Sequence, residues 1–274
     1  MLHVFTPKSL FYWLLVYLAV VGLLYIFQRD LIYFPSATYL SPAQVSANAA
    51  FREMDYKDAE GRLMKAWYAE RGKQPYIIVF FHGNGDSLAS MAPIANPFLA
   101  AGYGFLLVEY PGYSGMPGPA TEENLYAGAR AAIKRLVEFG ITEKEIVLMG
   151  HSLGTGVATQ MAGEFKVAGL VLLAPYTSLA KMAQRQYPVI PAEWLLKDRF
   201  DNFQKFPALR EPLLLIHGET DSVIPASNSD ELFALAVGSK TLKKLPAAGH
   251  NDLFAHGADG LIMNWLSGLS LPLD

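Results

Sequence analysis

The chain has 274 residues, of which 17% are charged, and a formal net charge of −3. That balance offers no basic surface for nucleic acid, and the length suits one large domain with a substantial core behind an N-terminal segment. There is no cysteine, which excludes disulfides, thiolate catalysis and S-palmitoyl anchoring but leaves the compartment open.

From Ser9 to Phe27 there is no charged residue, and Leu10 to Phe27 is almost wholly apolar. As a helix those 18 residues span about 27 Å, close to the hydrocarbon thickness of a bilayer. Lys8 bounds one end and Gln28-Arg29-Asp30 the other. Tyr12, Trp13, Tyr25 and Tyr33 put aromatic rings toward both ends, as membrane interfaces favour. A cleaved signal peptide would carry a shorter apolar core and a small-x-small site, and residues 28–34 offer none. The expectation is therefore a retained single-pass anchor over residues 1–30, with His3 ahead of the apolar run. The α-amine and Lys8 on one side face Arg29 on the other, so the charges leave the side of the following domain open. Residues 31–50, with Pro35 and Pro42, read as a juxtamembrane connector. Residues 51–274 read as one large folded domain.

Phe51 to Lys57 and Leu63 to Glu70 lie on either side of Glu60-Gly61 and predict an antiparallel hairpin. Tyr76 to Phe81 is a continuous apolar run, the pattern of a central parallel strand buried on both faces. It ends in His82-Gly83-Asn84-Gly85. A helix is expected over about Ser87 to Ala101, then a strand from Gly104 to Glu109 that ends in Tyr110-Pro111-Gly112-Tyr113-Ser114-Gly115. Thr121 begins a helix in N-cap fashion that runs to about Phe139. The strand Glu145 to Met149 and the helix Thr155 to Glu164 follow. Further strands are expected at Ala168 to Ala174, Leu213 to Ile216 and Thr241 to Leu245, with helices at Ser227 to Ala236 and Asp252 to Leu266. Alternating strands and helices imply a mostly parallel sheet with helices on both faces and a site at the carboxyl ends of the strands. Residues 177–211 are too many for a plain loop. With Tyr187, Pro188, Pro191, Trp194, Phe200, Phe203 and Phe206 they read as a short cap, whose aromatics either shape an acyl pocket or pack the cap onto the sheet.

Between the strand that ends at Met149 and the helix that starts at Thr155 stands Gly150-His151-Ser152-Leu153-Gly154. A serine on so sharp a turn has a strained backbone, and small residues two before and two after it avoid clashes. A serine hydroxyl is a poor nucleophile at neutral pH. It needs a histidine to take its proton and a carboxylate to hold that imidazole in the useful tautomer. Asp221 follows the apolar run Leu213 to Ile216, and His250 lies in Ala248-Gly249-His250-Asn251-Asp252. These make Ser152 the candidate nucleophile, His250 the base and then acid, and Asp221 the orienting carboxylate. Of the six histidines, His82 and His151 sit in turns, where a structural hydrogen bond is expected. His217 ends a strand, and His256 is expected on the surface of the final helix. Asp198 and Asp201 fall in the cap, and Asp252 is expected to cap the last helix.

The chain resembles the single-pass, membrane-anchored branch of the α/β-hydrolase superfamily, near its serine-aminopeptidase-like grouping. The resemblance rests on Leu31-Ile32-Tyr33-Phe34-Pro35, His82-Gly83-Asn84, Tyr110-x-Gly112-Tyr113, Gly150 to Gly154, His217-Gly218-x-x-Asp221 and Gly249-His250-Asn251-Asp252. It implies the α/β-hydrolase fold, in which the order Ser, Asp, His is the one used. It also implies an oxyanion hole from the backbone N–H of Leu153 and an N–H of the loop after the third strand, here Asn84. Similar proteins include lysophospholipases, monoacylglycerol lipases and protein-depalmitoylating thioesterases. Two departures stand out: Pro111, where relatives often have arginine, and the lack of the N-terminal cysteine cluster that the depalmitoylating relatives use. The expected function is hydrolysis of an acyl ester, thioester or lipid ester through an acyl-enzyme on Ser152, with no cofactor. The partners expected are a small-molecule or lipid acyl substrate and the membrane. A peptidase on the same triad and a catalytically inactive binding protein are the alternatives. A dehalogenase on this fold would want an aspartate where Ser152 stands. Activity is expected to fall in acid, roughly below pH 6 to 7, as an imidazole base protonates.

Overall fold

The computed structural model describes residues 7–45 and 50–269. His3, residues 46–49 of the expected connector and the 270–274 end of the domain lie outside the described residues.

The apolar N-terminal run forms helix α1 (Pro7–Ile26), long and apolar enough to cross a membrane and with no buried residue. After Phe27 the chain continues as a short helix, α2 (Gln28–Ile32). The segment behind it, expected as a connector, is tied to the domain: Tyr33 joins the core, and Phe34 N donates to Asn84 Oδ1 at 2.9 Å.

Strands β1 (Arg52–Lys57) and β2 (Leu63–Ala69) form the expected antiparallel hairpin. β3 (Ile77–Phe81) follows, buried along its whole length. The helix expected from Ser87 to Ala101 is instead three short pieces: α3 (Leu88–Met91), a 3-10 turn (Ala92–Ala95) and α4 (Asn96–Ala100). Pro93 and Pro97 explain this, because each removes a backbone donor that a continuous helix would need. β4 (Gly104–Val108) leads to α5 (Glu122–Glu138), whose N-cap Thr121 accepts from Asn124 N through its side chain. β5 (Ile146–His151), α6 (Leu153–Glu164) and β6 (Gly169–Leu173) come next. The cap holds α7 (Leu179–Gln186), α8 (Ala192–Leu195) and α9 (Asn202–Lys205). β7 (Leu213–Gly218), α10 (Ser227–Leu235), β8 (Lys240–Leu245) and α11 (Ala258–Ser267) close the domain.

The last helix begins later than expected. Residues 254–256 are a 3-10 turn, and Gly257, at φ 85°, breaks the run before α11. Asp252 therefore does not cap that helix. Its Oδ1 turns back and accepts from Gly249 N.

The eight strands lie in the order β1-β2-β4-β3-β5-β6-β7-β8. The first three neighbouring strands pair antiparallel, and every other pair is parallel. Each face of the sheet carries its own apolar core. From β3 the chain passes to β4 on one side, while β5 lies on the other. The carboxyl ends of β3 and β5 are thus the point where the winding reverses, the place where open α/β sheets hold ligands.

Candidate active site

Ser152 is the single residue between β5 and α6. Its backbone sits at φ 51°, ψ −116°, a conformation that costs an L-residue about 1–3 kcal/mol. Ser152 N donates to Leu173 O at 3.0 Å, which ties the turn to β6. The flanking glycines are required by contact rather than by flexibility. A methyl on Gly154 would run into the carbonyl of Phe81, and one on Gly150 into the carbonyl of Gly154. Only bare backbones let the start of α6 pass so close to the end of β3.

The three side chains singled out from the motifs meet over this turn. His250 Nε2 lies 2.9 Å from Ser152 Oγ, and His250 Nδ1 lies 2.7 Å from Asp221 Oδ2. A carboxylate only accepts, so Nδ1 carries the proton and Nε2 offers its lone pair to the serine hydroxyl. Asp221 is buried. Its Oδ1 accepts from the N–H groups of Val223 and Ile224, both at 2.8 Å. Burial alone would raise its carboxyl. Hydrogen bonds from His217, His250 and the Ile224 N–H outweigh that and hold it well below the ordinary carboxylate range.

Asn84, Ser152, Leu153 and His250 line one cavity. Among the described residues neither the Asn84 N–H nor the Leu153 N–H has an acceptor in the protein. The one on Leu153 is an orphan donor of the first turn of α6. Asn84 is fixed by its own side chain, which accepts from Tyr113 Oη at 2.7 Å and donates to Ile32 O at 2.5 Å. Asp86 Oδ2 accepts from Gly83 N at 3.1 Å and closes the same loop.

The other histidines are structural in their contacts. His82 Nδ1 lies 2.9 Å from Gly83 O and Nε2 lies 2.8 Å from Glu109 Oε1. Acceptors at both nitrogens mean that both carry protons, so His82 and Glu109 form a buried ion pair beneath the Asn84 loop. Burial pulls the imidazole down, but the carboxylate's charge and hydrogen bond outweigh it, and the His82 value is raised. His151 is lowered, chiefly by burial, and donates from Nε2 to His250 O at 3.0 Å. His217 Nε2 donates toward Ile224 O at 2.8 Å and Asp221 Oδ2 at 3.2 Å, while Nδ1 takes the Ser229 hydroxyl at 2.7 Å.

All five residues expected at the site therefore border one cavity or its polar floor. Sequence reasoning missed the supports: His217 behind Asp221, Asp86 under Gly83, and Tyr113 on Asn84. A buried strand-end histidine four residues before a candidate carboxylate was the available signal for His217. The cap aromatics divide. Phe200 and Phe206 are fully buried, Tyr187 lines the cavity, and Trp194 is 88% exposed.

A mostly parallel sheet whose central strand turns through a serine straight into a helix defines an α/β-hydrolase fold. A model of the α/β hydrolase family matches residues 78–211. An uncharacterized protein of Mycobacterium tuberculosis is 35% identical over 229 residues, covering 82% of this chain and 81% of its own. The α/β hydrolase domain-containing protein aho-3 of Caenorhabditis elegans is 34% identical over 190 residues, 67% of this chain and 54% of its own. Among solved structures, an esterase of Pyrococcus furiosus superposes with a TM-score of 0.71 at 18% identity, over 86% of this chain and 98% of its own. The chain belongs to the α/β-hydrolase family.

Proposed function

We propose that the protein is a membrane-anchored serine hydrolase that cleaves acyl esters or thioesters through an acyl-enzyme on Ser152. The observation that carries this reading is the unbroken chain of hydrogen bonds from Ser152 Oγ through His250 to Asp221 on the floor of a cavity of about 730 Å³. That volume lies within the range of about 300–1,000 Å³ typical of ligand sites. The choice of an acyl substrate rests on the carbon-rich walls, to which Leu24, Leu179, Met182 and Ile190 contribute. The anchor is assigned to α1 on its length and composition.

In this mechanism His250 Nε2 takes the Ser152 proton as Oγ attacks the acyl carbonyl carbon. The carbonyl oxygen becomes an oxyanion, which accepts from the N–H groups of Asn84 and Leu153. Asp221 stabilises the imidazolium and fixes its orientation. The C–O or C–S bond breaks, and the leaving alkoxide or thiolate takes the proton from His250. Water then enters, gives its proton to His250 and attacks the acyl-enzyme. The second oxyanion collapses, the acid leaves, and Ser152 recovers its proton.

The test uses the full chain in detergent micelles with p-nitrophenyl esters of increasing acyl length, beside Ser152→Ala. The reading requires turnover in the wild type and a loss of at least about a thousandfold in the variant. Ester turnover that persists in Ser152→Ala, or cleavage of aminoacyl amides with no ester turnover, would contradict it.

A further inference from the structure

Helix α1 does more than stand beside the domain. Tyr17, Val21 and Leu24 recur at the spacing that places side chains on one face of α1, and Gln28 opens α2 just beyond them. That face is turned to the domain. Val21, Leu24 and Gln28 line the same cavity as Ser152 and His250. Tyr17 Oη donates to Val189 O, in the cap, at 2.8 Å. At the other end Gln28 Oε1 accepts from Lys197 N at 2.7 Å, and Arg29 pairs with Asp198 through two bonds of 2.9 and 3.2 Å. The cap is thus fastened to the N-terminal segment at Tyr17 on α1 and again at Gln28 on α2.

The two attachments have a consequence for depth. If α1 lies in the hydrocarbon layer, the cap segment beside Tyr17 lies in it too, because no water-filled gap separates them at a 2.8 Å bond. The outer surface of that segment suits immersion: Val189 is 77% exposed and Trp194 88%. The carbonyl of Val189, which water could not reach there, has its donor in Tyr17. Beyond Gln28 the charged residues begin, with Arg29, Lys197 and Asp198 grouped at the level where the helix would leave the apolar layer.

We propose that α1 forms one wall of the acyl pocket and that the cap tip is immersed beside it. The acyl chain of a membrane-resident lipid then passes from the bilayer into the pocket without crossing water. This rests on the serine-hydrolase reading of Ser152 and adds the substrate class: long-chain acyl lipids held in a bilayer. Val21 and Leu24 become the residues that set acyl length, although they belong to the anchor.

The experiment reads acyl-length preference in the full chain reconstituted in phosphatidylcholine vesicles, with p-nitrophenyl butyrate and palmitate as probes. Leu24→Trp should fill the wall and lower kcat/KM for palmitate at least about tenfold more than it lowers kcat/KM for butyrate. Leu24→Ala, which removes bulk, should keep palmitate turnover and shift the preference toward longer chains. A circular-dichroism spectrum and unfolding midpoint matching the wild type show that each variant is folded. A palmitate-to-butyrate ratio unchanged in both variants overturns this inference while leaving the hydrolase reading standing. No Ser152-dependent turnover of either ester overturns the hydrolase reading and this inference with it. Immersion is read separately, from tryptophan emission in vesicles of chain-brominated phosphatidylcholine. The fraction of emission lost in Trp194→Phe should be the strongly quenched fraction, and an unquenched Trp194 contribution overturns the placement of the cap.

Discussion

The floor of the cavity is held by polar bonds between loops that follow β3, β5, β7 and β8. Its roof, built from the cap and α1, meets the cavity mainly through carbon. On the floor the backbone is locked. Ser152 is strained, Gly150 and Gly154 admit no methyl, Asn84 is bonded from two sides, and Asp221 takes hydrogen bonds at both oxygens. The base of the roof is packed into the core through Phe200 and Phe206, whereas its tip is tied to the N-terminal segment at Tyr17, Gln28 and Arg29 and leaves Val189 and Trp194 exposed. A reaction that develops charge needs fixed dipoles, which only a rigid floor supplies. A chain-like ligand needs shape and apolar area, which the tip of the roof and α1 provide away from the polar groups of the floor.

Substitutions should therefore divide by location, and the largest effect is expected at the floor. Asp221→Asn should keep the fold but lower kcat by about a thousandfold or more in ester turnover, because the amide favours the wrong imidazole tautomer at His250. Full activity in that variant would remove Asp221 from the mechanism.

Glu109→Gln tests the support beneath the Asn84 loop. Leaving His82 buried without its carboxylate should cost about 3 kcal/mol in chemical denaturation. The His82 value is raised, so the folded protein holds this proton more tightly than the unfolded chain does. The pair's contribution is then complete below the unfolded histidine value of about 6.5 and is lost as pH rises through the raised folded value. The stability gap between wild type and Glu109→Gln should narrow as pH rises from 6 upward. A gap that widens over that interval would contradict the charged assignment.

The smallest effect belongs to the roof. Trp194→Ser, at a side chain 88% exposed, should change the unfolding free energy of the detergent-solubilised chain by less than about 0.5 kcal/mol. A loss of 2 kcal/mol or more there would show that the roof is packed as tightly as the floor.

The same division governs how much could be read from the amino acids alone. Floor residues announce themselves because their chemistry constrains type and spacing. The serine between two glycines, the glycine-rich turn after the Tyr76 to Phe81 run and the two loops holding Asp221 and His250 were all legible, and their side chains do meet at 2.7 and 2.9 Å. The parallel strands were legible because a strand buried on both faces reads as an unbroken apolar run. Helix continuity was less so: the apolar content of Ser87 to Ala101 suggested one helix, and two prolines divided it. Gly257 divided the last helix in the same way. The roof was the least legible. Apolar residues on α1 satisfy a bilayer and a cavity equally well, so composition alone could not reveal that Val21 and Leu24 line the same cavity as Ser152. Nor could it separate Phe200, packed in the core, from Trp194, turned outward. The placement of α1 depends on contacts between residues more than 160 positions apart, and that of Phe200 on its packing against Tyr126.

The central claim is that Ser152 is an activated nucleophile, and covalent labelling tests it most directly. The full chain would be treated with a fluorophosphonate, then analysed by intact-mass and peptide mass spectrometry beside Ser152→Ala. One adduct is expected, located on Ser152 and absent from the variant. No adduct on the folded wild type, or an adduct that survives in Ser152→Ala, would contradict it.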